Sequence, residues 1–176
     1  MGQVIHLAFP STDYPPTKDA LDIAESVFLI AVRWWVADYR HGEDPLPRLC
    51  EAMRTVGAHD AAFSVDKLMA VVARSARQQI EIHCPPCAHL SEHEKHLLHA
   101  ASLAQASRSD LAERALRTAL LSAQGAEFAL GPLEGLSKLF AAARLHFCRR
   151  RAPVVDLPRA DAVEAWMPSA QPRSIH

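Results

Sequence analysis

A chain of 176 residues, 49% hydrophobic and 22% charged, has the profile of a soluble globular protein of one domain, which excludes disorder as its general state. Nineteen basic against twenty acidic residues leave a formal charge of -1, so no overall field draws in nucleic acid or an anionic membrane. Twelve prolines against six glycines, with abundant alanine, favour helices separated by abrupt joints over strands.

Residues 1–16 read as a proline-punctuated leader without the basic and apolar regions of a secretory signal. A helix is expected from Thr17, as cap, to about Tyr39, with Asp19 and Asp22 in its first turn and Gly42 beyond its end. Its apolar stretch, Ile23 to Ala37, is broken by Glu25, Ser26 and Arg33 and falls short of the about 20 apolar residues a bilayer span requires. The stripe is wider than that of a surface helix, so contacts should surround it, with Trp34 and Trp35 as core or interface. The expected location is cytoplasmic, with Cys50, Cys84, Cys87 and Cys148 reduced.

Asp44 and Pro45 open a second helix that stops at Gly57, with Cys50 as a small buried hydrophobe. A third is expected from Ser64, with Phe63 stapled against Leu68, to about Gln79, turning Arg74 and Arg77 outward. From Gln79 to Leu90 helical periodicity fails, and Pro85 and Pro86 force a turn. Ser91 with Glu94 matches a capping box and starts a fourth helix to about Ala106. A fifth is expected from Asp110 to Gln124, closing at Gly125, and a sixth from Pro132 through Phe147. The expectation is an all-α, single-domain antiparallel bundle of about six helices over residues 17–151, followed by a tail, residues 152–176, anchored by Trp166 and Met167 with a short helix near Asp161 to Trp166.

The segment His83-Cys84-Pro85-Pro86-Cys87-Ala88-His89 gathers metal donors at that turn, and His83, His89, His93, His96 and His99 make up half of the chain's ten histidines. Two thiolates separated by two residues can clasp zinc, with His89 as third donor and His93, four residues on, as fourth. The expected metal site is Cys84, Cys87, His89 and His93, a zinc-knuckle-like turn pinning the third helix to the fourth; Cys148, His146 or His83 are rivals for the fourth position.

Catalytic versions of these motifs fail on spacing. Proline follows Cys84 where a redox dithiol opens a helix, Ala88 stands where covalent haem needs histidine, and His93-Glu94-Lys95-His96 is one residue short of a zincin pair. A zinc deaminase needs a sheet for which there are no strands, and the helix from Ser91 lacks the Glu-x-x-His of a di-iron bundle. The function expected is therefore a non-enzymatic, zinc-stabilised regulatory or protein-interaction module, acting on a protein partner or as a homo-oligomer. Two alternatives are a zinc-dependent hydrolase with Glu94 as general base, and a DNA-binding regulator using Arg149, Arg150 and Arg151 on phosphate, with Arg144 beside them.

Overall fold

The computed structural model describes residues 13–154. Among them are six α-helices and no strand, packed on one hydrophobic core: α1 Ile23–His41, α2 Leu46–Thr55, α3 Ala61–Ser75, α4 Glu92–Gln105, α5 Ser109–Ala119 and α6 Ala123–Ala142. None of these helices is long and apolar enough to cross a membrane. The tail segment near Asp161 to Trp166, and Met167 with it, lie outside the described residues.

Thr17 opens only a short 3-10 turn, Lys18–Ala20, and α1 starts five residues later than expected because Asp22 and Glu25 form its capping box. Gly42 ends α1 at φ 74, a left-handed position from which its N–H reaches Asp38 and Tyr39 carbonyls. In α1 the inner face is Ala24, Phe28, Ala31, Val32 and Trp35, all at most 4% exposed. α2 starts at Leu46 with Pro45, not Asp44, in the cap position; Asp44, one residue earlier, accepts from Leu46 N–H at 3.0 Å, and Cys50 packs half-buried against the core.

The third helix begins at Ala61, three residues ahead of Ser64, and Phe63 is 47% exposed, so no staple to Leu68 forms. It also ends early. Ala76 turns extended and pairs with Leu121, while Arg77 N–H donates to Leu120 O and Ser122 N–H to Ser75 O. The same pairing stops α5 at Ala119. Leu120 and Leu121 leave the helix to fill the core, both fully buried, and Ser122 caps α6 by accepting from Gly125 N–H.

Gly125 and Pro132 therefore both lie inside α6, where helix-stop and helix-start roles were expected. Pro132 leaves the carbonyl of Phe128 without its usual partner, and Phe128 is 61% exposed, so water can satisfy that group. Beyond α6 the chain turns at Arg144, with φ 61, instead of continuing as helix to Phe147. Phe147 then stacks on Phe140 at 5.6 Å and meets Phe28 edge-on at 5.9 Å, held by the Gln105 side chain, which binds Leu145 O and Phe147 N–H.

The α3–α6 contact depends on a missing side chain. A Cβ built on Gly125 would stand 2.2 Å from Ser75 Cβ, whereas one on Gly131 would meet nothing within 4 Å. Gly125→Ala is expected to cost about 1–3 kcal/mol in urea unfolding through overpacking, while Gly131→Ala, gaining helix propensity, should raise stability by up to about 1 kcal/mol.

Candidate functional site

Arg33 sits midway along α1 with its side chain fully buried, 0% exposed, as is that of its partner Glu94 on α4. A guanidinium cannot shed its charge at such a place and must be paired and saturated with acceptors. Its Nε donates to Glu94 Oε1 at 2.7 Å and Nη2 to Glu94 Oε2 at 2.9 Å, a two-pronged pair. The remaining donors go to backbone: Nη1 to Cys87 O at 2.5 Å and Cys84 O at 3.5 Å, Nη2 to His89 O at 2.6 Å. The turn that carries both cysteines is thus wrapped, carbonyls inward, around an organic cation.

Glu94 is equally occupied. Besides Arg33 it accepts from Ser91 N–H at 2.9 Å, closing the α4 capping box, and from His83 N–H at 3.1 Å. On the other side the leader clasps the loop. Lys18 N–H donates to Ala88 O, Leu90 N–H donates to Pro16 O, and Lys18 Nζ reaches the carbonyls of Pro85 and Pro86 at 3.3 Å.

Of the expected metal ligands, Cys84 is exposed, Cys87 half-buried and His89 exposed, all three on this one loop. His93 is used otherwise: its Nδ1 accepts from Glu81 N–H at 3.1 Å and its Nε2 lies 3.1 Å from the Gln78 amide. His83 donates from Nδ1 to His89 O at 2.9 Å, with Nε2 3.3 Å from Glu81. Among the described residues no three His, Cys, Asp or Glu side chains are gathered as a metal ligand set. Cys148 lies at the start of α1, where its thiol donates to Asp22; that bond, with burial, pushes it up to about 11. His146 is exposed two residues before Cys148, on the strap of residues 145–154 that follows α6.

The basic cluster is divided. Arg149 and Arg151 are exposed, but Arg150 folds back onto Glu25, the capping-box acid of α1, with bonds of 2.7 and 2.8 Å, and covers the Tyr14 ring at 5.6 Å. Arg144 is exposed on the turn after α6. Beneath the strap, His96 and His99 of α4 are buried, and burial holds both below the ordinary histidine range. His93 and His99 add to that effect at His96, which Glu92 and the Val154 carbonyl oppose, while His99 Nδ1 has no hydrogen-bond partner among the described residues.

Arg33 is the residue that motif reading missed, entering it only as an interruption of an apolar run. The signal was there: a lone arginine in a helix apolar on every side requires a buried acid. No family model, no curated protein and no solved structure matches this chain.

Truncating Glu94 to Ala leaves a buried guanidinium and two backbone N–H groups unpaired, so unfolding free energy should fall by about 3–5 kcal/mol, with Arg33→Ala comparable; urea titration measures both. Stability should also depend on acidity. Because His96 and His99 bind protons less readily folded than unfolded, stability is full above the ordinary histidine value of about 6.5 and declines as pH drops below it toward the lowered folded values. Urea midpoints between about pH 7.5 and 5.5 should fall in the native chain and flatten in the double variant His96→Gln, His99→Gln.

Proposed function

We propose that this chain is a non-enzymatic regulatory module that works by protein interaction and displays a zinc-binding loop. The support is a division of labour within residues 83–89: Arg33 claims carbonyls of the loop, while the Cys84 side of the turn is exposed and Cys87 is half-buried. Cys84 and Cys87 supply two thiolates and His89 an imidazole from the same rigid loop; His93 becomes the fourth donor by releasing Glu81 N–H and Gln78. A reducing, cytoplasmic compartment suits the four unpaired cysteines.

The alternatives are weaker on chemistry. A hydrolase built on Glu94 would need a free carboxylate beside the metal, and Glu94 is 1% exposed with each oxygen doubly engaged. A DNA-binding role through Arg149, Arg150 and Arg151 loses its middle member to Glu25. An interaction role, with a protein partner or a second copy, draws instead on the apolar outer side of α1, where Ile23 is 73% exposed.

Elemental analysis tests the zinc reading. Protein purified without chelator is expected to hold zinc in stoichiometric amount and to lose it in Cys84→Ser and Cys87→Ser; metal-free native protein would sink the reading. Because the loop is already shaped by Arg33, chelation should lower the melting temperature by less than Arg33→Ala does, the reverse of what a zinc-nucleated fold shows.

A further inference from the structure

We propose that Cys84 and Cys87 form a dithiol switch that closes to a disulfide by exchange with low-molecular-weight disulfides of the glutathione type. The inference deepens the zinc-loop reading and rests on it for one consequence, expulsion of the metal; the exchange itself needs only the two thiols. Cys87 N–H donates to Cys84 O at 3.1 Å across Pro85 and Pro86, so the cysteines are the first and fourth residues of a hydrogen-bonded turn. Such a turn keeps its end Cα atoms within about 7 Å, which overlaps the roughly 4.4–6.8 Å that a disulfide spans. Both carbonyls also converge on a single nitrogen, Arg33 Nη1, at 3.5 and 2.5 Å, which holds the two residues side by side. Proline after Cys84 excludes the helical dithiol of an oxidoreductase; a turn stiffened by two prolines presents the pair for stoichiometric exchange instead.

Exposure orders the steps. Cys84 is exposed and Cys87 half-buried. The Cys84 thiolate attacks one sulfur of the incoming disulfide, forming a mixed disulfide and releasing one thiolate. The Cys87 thiolate then attacks the Cys84 sulfur, which closes the S–S bond and releases the second thiolate. The protein gives up two electrons and two protons, and the oxidant leaves as two thiols. The other cysteines are placed against this reaction. Cys50 packs against the core from α2, and the Cys148 thiol, donating to Asp22 and partly buried, is pushed up to about 11, so little of it is thiolate near neutral pH. Sulfurs tied to each other no longer bind zinc as thiolates, so closure empties the loop. The fold is spared, because Arg33 grips carbonyls that oxidation leaves unchanged.

The whole chain, equilibrated in glutathione buffers of rising oxidised share with and without chelator, then alkylated and mapped by mass spectrometry, reads the pair directly. A Cys84–Cys87 disulfide within one chain is the expected product, with Cys50 and Cys148 alkylated. Cys87→Ser should trap glutathione on Cys84, and Cys84→Ser should react roughly tenfold more slowly through Cys87. Melts of oxidised and reduced protein should coincide, since so short a closed loop adds little. A pair that stays reduced in excess oxidised glutathione with chelator present overturns the proposal, as does bridging through Cys50 or Cys148, or a fold that collapses on closure. Chelator separates the two readings. With zinc on the loop, chelator should lower the oxidised share needed for closure on the order of tenfold; protein that closes equally with and without chelator retains the switch and sinks the zinc reading alone.

Discussion

One buried ion pair anchors the loop of residues 83–89 to the helices. Arg33 and Glu94 lie 61 residues apart, and both side chains are fully buried. Moving either charge out of water alone would cost several kcal/mol, so the two are tolerable only as a saturated unit. Arginine offers five N–H donors, and here they meet five acceptor contacts, two on Glu94 and three on loop carbonyls. The loop is shaped by that requirement as much as by its two prolines.

The same device appears twice. Glu25 closes the capping box of α1 and Glu94 that of α4; each is buried, and each is gripped by an arginine from a distant part of the chain. A helix N-terminus already favours a carboxylate, and the added guanidinium makes up for what burial takes away. Since α1 carries both Glu25 and Arg33, it ties the strap at residue 150 and the loop at 83–89 to one rod. Position of the loop, position of the strap and burial of α1 are therefore coupled.

That coupling bears on function because it separates holding from presenting. Carbonyls of the cysteine turn face Arg33, which fixes them, while Cys84 and His89 are exposed and Cys87 is half-buried. The acid that might have served catalysis is consumed in structure. On the reading proposed above, the thiol loop is an element of recognition.

How much was legible beforehand divides along physical lines. The amino-acid order by itself determined that the chain is helical, that residues 79–90 interrupt it, and that Ser91 with Glu94 opens α4, because capping and proline exclusion act within a few residues. It also determined the left-handed stop at Gly42. Only the tertiary structure decided that α3 and α5 end where they pair with one another, that Gly125 is a point of close approach inside a helix, and that Pro132 is accommodated within α6. The tertiary structure likewise set Arg33 and Arg150 on the two capping glutamates. Local propensity carries no information about a partner 61 or 125 residues away; such pairs exist only once packing has removed water from around both charges.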